Sequence, residues 1–283
     1  MKNVLIVGLG LLGGSYAMGL SKKGYTVRAI EKKPESIDYA IKSGIIESGE
    51  TSPKKELFDW ADLVVFALYP KVLLEFIKEN AHLFKDGTII TDVTGVKEAI
   101  VYEVQSLLKN GVEFISAHPM AGKEVSGVEF ADSNIFKNAN YIVVPTEKNT
   151  PRAIEICKNI GYDLEFKSVS VLTPREHDDM IAFLSQLTHC IAVALMCSNP
   201  NEGMEQYTGD SFRDLTRIAK INDKMWSELF LLNRTPLLKQ MDRFKQSFDE
   251  LYESIKNADE EKMRQMMRLS TSRRERFDIK KEN

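Results

Sequence analysis

The chain has 283 residues, 43% of them hydrophobic, which is enough to bury a large core in one or two domains. Its formal net charge of −3, from 38 basic and 41 acidic side chains, excludes the dominant basic face of a nucleic-acid binder. Cys157, Cys190 and Cys197 form no CxxC pair and no metal-ligand cluster with the histidines, so no metal site is expected and a reduced, cytoplasmic protein is the plain reading.

In chain order, short apolar runs alternate with helical stretches. Strands are expected at "NVLIVG", "TVRAIE", "LVVFAL", "GTIITDV", "VEFISAHP" and "NYIVVP", with helices between them, two of these near 71–84 and 97–109. No signal peptide is expected ahead of the first strand. "PRAIEICKNIG" has proline at a helix start and glycine at its stop, and "DLEFKSVS" reads as one more strand. Strict alternation predicts an α/β, Rossmann-like domain whose parallel sheet is covered on both faces. From about Thr173 the strands vanish, so residues 1–170 are expected to form the dinucleotide-binding domain and 171–283 an all-α domain. The apolar stretch "IAFLSQLTHCIAVALMC" reads as a buried helix, too short and too polar for a membrane span. Cys190 and Cys197 lie two helical turns apart in it, about 10 Å of rise, too far for a disulfide. After the loop "SNPNEGMEQYTGD" a shorter helix starts, with Asp210 or Ser211 as cap, and a long charged helical region leads to a solvated tail.

"VLIVGLGLLGGS" supplies Gly8, Gly10 and Gly13 in GxGxxG spacing, with Leu11 and Leu12 opening the helix between them. The first glycine allows the tight turn, the second lets the backbone approach a pyrophosphate, and the third lets helix and strand pack. Glu31 ends the second strand, where a carboxylate hydrogen-bonds both ribose hydroxyls and repels a 2′-phosphate, so NAD is favoured over NADP. Ligands of such sheets bind outside the carboxyl ends of the strands. Ala67, Leu68 and Tyr69 are therefore expected beside the adenosine or its ribose, and Asp92 and Val93 toward the nicotinamide.

His118 comes out at the same rim. Two readings stand: a histidine that caps a loop, or a base that takes a hydroxyl proton while hydride leaves the same carbon. In the apolar helix Ser185 and His189 share a face, with Asp178 two turns earlier. Such a polar stripe either satisfies itself in the core or lines a pocket. Arg213, Arg217 and Lys220 recur along the later helix. Arg213 and Lys220 read as a solvated face, whereas Arg217, in a less exposed setting, could hold a carboxylate through paired hydrogen bonds.

Taken together, "GLGLLGGS", "TDVTGVK", "AHPMAGKEVSG", "SQLTHCIAVAL" and "FRDLTRIA", in this order over nearly the whole chain, resemble the prephenate/arogenate dehydrogenase family of tyrosine biosynthesis. The resemblance implies NAD-dependent oxidative decarboxylation of prephenate to 4-hydroxyphenylpyruvate. It implies His118 as the base at the C4 hydroxyl, Arg217 and His189 as substrate-binding residues, Ser185 and Gln186 in the pocket wall, and Lys123 and Glu124 on the loop beside His118. Two departures stand out. Thr94–Gly95 occupies the place where relatives often carry glycine–serine, which puts the catalytic hydroxyl expected there on Thr94. "SQLTH" replaces the frequent "SHLPH" but keeps His189. The alternatives are an arogenate dehydrogenase, a 3-hydroxyacid dehydrogenase of related plan, and a non-catalytic NAD-binding regulator. A homodimer paired through the helical domain is expected by analogy, with no attached regulatory or mutase domain and no membrane partner.

Overall fold

The computed structural model describes residues 2–123 and 125–278. Strand β1 (Asn3–Val7) leads into helix α1 (Leu11–Lys22), β2 (Thr26–Ile30), α2 (Pro34–Lys42), β3 (Ser48–Glu50), α3 (Lys55–Trp60), β4 (Leu63–Phe66), α4 (Pro70–Asn80), β5 (Ile89–Asp92) and α5 (Glu98–Leu107). Then come β6 (Glu113–Phe114), β7 (Ser116–Pro119), β8 (Asn140–Val144), α6 (Pro151–Asp163) and β9 (Ser168–Val171). β1 to β6 form a parallel sheet in the order β3-β2-β1-β4-β5-β6. The order reverses at β1 and β4, and the crevice beyond their carboxyl ends is the usual ligand position of such sheets.

Side chains alternate across a strand, and in β1 both sets are apolar. Val4 and Ile6 join the core under α1 with Tyr16, Leu20 and Phe136. Leu5 and Val7 join the opposite core with Phe58, Phe66 and Phe84. A strand buried on both faces must read as a continuous apolar run, which is why this half of the fold is legible. The very short β3 and the six-residue α3 have no such signature and lie between the expected elements.

One expectation is corrected here. "VEFISAHP" is not one strand of one sheet. It breaks at Ile115, and β7 starts a second sheet in the order β7-β8-β9, antiparallel to β8, with His118 opposite Ile142. The cause is Asp92 at the end of β5, whose buried Oδ1 accepts the amide of Ala117 at 3.2 Å. A side chain thus takes the donor that a continued parallel ladder would have used.

The remaining helices are α7 (Pro174–Ile181), α8 (Thr188–Cys197), α9 (Asp210–Thr216), α10 (Asp223–Leu232), α11 (Arg234–Lys256) and α12 (Glu260–Arg274). Thr173 and Glu176 form a reciprocal capping box at the start of α7. α7 runs into α8 through a π-helical turn, Ala182–Leu187. This long helix is not the buried one expected from its composition. It has the length and hydropathy to cross a membrane, and only 28% of its apolar window is buried within the chain. Phe183, Leu184 and Met196 face outward. At α9 the N-cap is Gly209 instead of Asp210 or Ser211, and Asp210 occupies the first turn, where its charge favours the helix dipole.

Contacts group the chain into two compact units, Met1–Arg234 and Thr235–Asn283. Within the first, Asp178 of α7 accepts the amides of Lys97 and Glu98 at the start of α5, at 2.9 and 2.8 Å, and Glu228 of α10 accepts the amide of Lys71 in α4 at 2.8 Å. In the second unit Asp259 caps α12 by accepting the amide of Lys262.

Candidate active site

The glycine turn after β1 has the shape its sequence implies. Gly8 has φ +98°, and a Cβ there would lie 2.6 Å from the Ala67 carbonyl oxygen. A Cβ on Gly13 would lie 1.9 Å from the Gly8 carbonyl oxygen, so neither position admits a side chain. Gly10 differs: none of the described residues stands within 4 Å of its would-be Cβ, leaving open space among them at the start of α1. Among the described residues no side chain caps that helix, so its first amides are available to a phosphate group. Leu11 packs inward and Leu12 is half-buried beside the turn. Glu31 grips the same loop: its Oε2 accepts the Leu9 amide at 2.8 Å and its Oε1 the Lys33 amide at 3.1 Å. At the neighbouring strand end, Ala67 and Leu68 are half-buried and Tyr69 is exposed. Turn, bare helix start and carboxylate together fit a dinucleotide with an unmodified ribose.

Behind the rim lies a buried polar cluster. Asp92 and Lys97 are fully buried and 2.9 Å apart. Lys97 Nζ also donates to the Ala117 carbonyl at 2.6 Å, and Ser116 Oγ donates to Asp92 Oδ1. Burial pushes the Asp92 carboxyl up, but the Lys97 ammonium and the Ser116 and Thr94 hydroxyls hold it below the usual carboxylate range. Asp92 is thus turned into the protein and does not reach toward a nicotinamide; Val93 beside it is 8% exposed. Thr94 is 4% exposed, and its hydroxyl is engaged by Asp92 and by the Val96 carbonyl. The expectation that it holds a substrate hydroxyl meets a side chain already committed to the brace under β7.

His118 projects from β7 half-buried. Its Nδ1 lies 2.8 Å from Nε2 of His177, whose Nδ1 lies 2.7 Å from Asp178 Oδ1. Burial, then the neighbouring His177 and Lys97, hold the His118 imidazole well below the ordinary histidine pKa. His177 is lowered to about 3 by burial, and burial raises Asp178 to about 6. At neutral pH the unit is two neutral imidazoles and a carboxylate. A Cβ on Gly95 would stand 4.0 Å from the His118 Cε1 and 3.5 Å from Leu229 of α10, so α10 passes close to the histidine.

One turn earlier on α10, Trp226 stacks on the His189 ring, centroids 3.7 Å apart and planes at 29°. The Ser185 carbonyl accepts His189 Nδ1–H at 2.8 Å. His118 and His189 are thereby set along one face of α10, since residues three apart on a helix are neighbours. Ser185 is half-buried in the π-helical turn. Gln186 is corrected: it is 1% exposed, donates to the Leu229 carbonyl at 3.1 Å and accepts from Asn233 at 2.8 Å, so it joins helices and lines no pocket. Arg217 opens a short 3-10 turn that packs against α8, and is more exposed than its apolar neighbours suggested. Lys123 is exposed and reaches Asp132 at 3.3 Å, while Glu124 lies outside the described residues.

His177 and Lys97 are absent from the sequence reading. His177 sits among charges in "PREHDD", which reads as the solvated first turn of a helix, and Lys97 in "TGVK" carries no sign of its burial. The recognisable signal is the capping box, which fixes where α7 starts and hence that His177 and Asp178 fall on its inner side.

A nucleotide crevice at the switch point of a parallel sheet, faced by a neutral histidine and a helical half, defines a nicotinamide-dependent oxidoreductase. Two family models match: the nucleotide-binding domain of prephenate dehydrogenase over residues 16–171 and its dimerization domain over residues 173–269. A prephenate dehydrogenase of Lactococcus lactis is 32% identical over 99% of this chain and 79% of its own. One from Bacillus subtilis is 29% identical over 92% and 72%. The crystal structure of Aquifex aeolicus prephenate dehydrogenase with hydroxyphenyl propionate and NAD+ superposes with a TM-score of 0.89, at 31% identity, covering 98% of this chain and 99% of that one. The chain belongs to the prephenate dehydrogenase family.

Proposed function

We propose that the chain catalyses NAD-dependent oxidative decarboxylation of prephenate to 4-hydroxyphenylpyruvate, with His118 as the base. The observation that carries this reading is His118 itself: neutral, at the rim of the nucleotide crevice, and backed by His177 and Asp178. Bound NAD supplies the hydride acceptor. His118 Nε2 receives the proton of the C4 hydroxyl as that carbon becomes a carbonyl, and loss of the ring carboxylate as carbon dioxide gives the aromatic product. Arg217 and His189 bind the anionic substrate, with Ser185 beside them, and Lys123 and Glu124 belong to the loop that follows His118. Thr94 acts from behind, steadying β7 through Asp92. The functional division runs at residue 170, close to where the two family models meet, with 171–283 as the substrate-binding and dimerisation domain. Three unbridged thiols, Cys157, Cys190 and Cys197, fit a cytoplasmic setting.

The test is NADH formation with prephenate and with arogenate, each with NAD and NADP. Prephenate with NAD is expected to be the productive pair. No turnover with either substrate overturns the reading, and turnover with arogenate alone reassigns the substrate.

Arg217→Ala is expected to raise KM for prephenate about 10–100-fold with kcat little changed, the size of a charge-assisted hydrogen-bond pair lost from ground-state binding. An unchanged KM returns Arg217 to the solvated face. Glu31→Ala is expected to weaken NAD about 10–100-fold and to narrow the preference over NADP, since the carboxylate serves both ribose and loop. Titration of each cofactor by fluorescence checks it.

The assembly inferred is a homodimer. On α11, Phe244, Phe248, Tyr252 and Ile255 stand exposed at spacings of four, four and three, an apolar stripe left uncovered among the described residues. The dimerization-domain model spans this helix. Light scattering is expected to give twice 32.1 kDa, and Phe248→Glu to shift the population toward monomer. A wild-type monomer at micromolar concentration ends this assignment.

A further inference from the structure

A neutral imidazole carries one N–H, and which nitrogen holds it is set by the partner of the other. The chain of bonds behind His118 can be followed from its far end. Asp178 accepts the Lys97 amide at Oδ1 and the Glu98 amide at Oδ2, so at neutral pH it is a carboxylate with no proton to give. The 2.7 Å contact with His177 is therefore donated by His177 Nδ1–H. His177 is fully buried and neutral, so its Nε2 has only a lone pair. The 2.8 Å contact with His118 must then be donated by His118 Nδ1–H, leaving the His118 lone pair on Nε2.

This is the arrangement a base needs, and the opposite of the tautomer an isolated histidine side chain favours. We propose that His177 is a positioning residue for the reaction: held by Asp178, it accepts the His118 Nδ1–H and so keeps the Nε2 lone pair turned to the substrate hydroxyl. His177 touches no substrate. When the hydroxyl proton passes to Nε2, His118 becomes an imidazolium whose Nδ1–H still rests on His177, and no further proton moves along the chain. Among the described residues, Lys97 and Asp92, packed behind β7, are the other charged groups acting on the pair, and they are already paired with each other. The proposal rests on the reading of His118 as the base.

The test begins with the full-length protein, with and without NAD, carrying ring-15N histidine. With four histidines in the chain, assignment by single substitution is direct. His118 and His177 are both expected as Nδ1–H tautomers. In His177→Met, His118 is expected to move toward the Nε2–H form, with kcat down by about 10²–10⁴-fold, the range of a lost general base, while KM for prephenate and the affinity for NAD hold. In His177→Gln the amide oxygen can replace Nε2 as acceptor, so the Nδ1–H tautomer and most of kcat are expected to return. An Nε2–H His118 in the wild-type protein overturns the proposal without recourse to any variant. So does a wild-type kcat in His177→Met. If His118→Asn is fully active the base reading itself fails; if it is inactive while His177→Met is not, only the positioning role falls.

Discussion

His118→Asn lowers kcat by about 10²–10⁴-fold, the usual contribution of a positioned general base, while NAD binds as before. Asparagine is smaller and can still hydrogen-bond to His177, so the half-buried position is not emptied of polar contact. What it lacks is a basic lone pair at the rim. The cofactor residues, Gly8 to Gly13 and Glu31, lie on other strand ends and make no contact with His118 among the described hydrogen bonds. Steady-state kinetics and a separate NAD titration check the two halves of the expectation. Near-normal turnover removes His118 from the chemistry. The pH profile supplies the second check. Burial, His177 and Lys97 all disfavour the imidazolium, so the free enzyme loses its base only when pH falls well below the ordinary histidine value. The acid limb of kcat/KM is therefore expected below about 6.5. A limb at or above that value indicates another group.

Lys97→Met has its largest effect on stability. It leaves the Asp92 carboxylate, 0% exposed, without its counter-ion, and breaking a buried pair from one side typically costs about 3–5 kcal/mol. Urea unfolding at neutral pH measures it, and a loss below about 1 kcal/mol discards the argument. The pH dependence has a definite sign. In the wild-type protein the folded pKa of Asp92 is depressed, so its contribution is present above the unfolded carboxylate value and is lost as pH falls through the folded one. In Lys97→Met the lone buried carboxyl prefers to be protonated, and the variant gains relative stability as pH falls. Adding Asp92→Asn is expected to recover much of the loss, since a neutral amide removes the uncompensated charge.

Gly8, Gly10, Gly13 and Glu31 were legible because a phosphate turn imposes residue types on fixed spacings. His118 was legible as a candidate because it follows a strand end at the rim. The brace behind it was not, since nothing local in "TDVTGVK" tells that Lys97 folds back under β7 or that Asp92 faces inward. The same limit applies to Gln186: its place in an apolar helix is compatible with a pocket wall, and only the approach of Asn233 and the Leu229 carbonyl decides for packing. His177 was hidden by its charged neighbours, whose pattern describes the outer face of α7. The sheet switch at Ile115 was equally out of reach, because it depends on a side chain, Asp92, that competes for a backbone amide.

The π-helical turn at Ala182–Leu187 has a consequence for chain length. Such a turn holds one residue more than the α-turn it replaces. Removing one residue there would let the segment anneal to ordinary α-helix with the turns on either side still in phase, whereas a deletion in a purely α-helical stretch rotates everything beyond it by about 100°. His177 and Asp178 upstream and His189 downstream would keep their faces, and the side chains redirected would be those of the turn itself, Ser185 among them. The extra residue is thus accommodated locally: a relative one residue shorter in this turn keeps a histidine against the Trp226 position and differs only in the stretch of wall between the two helices.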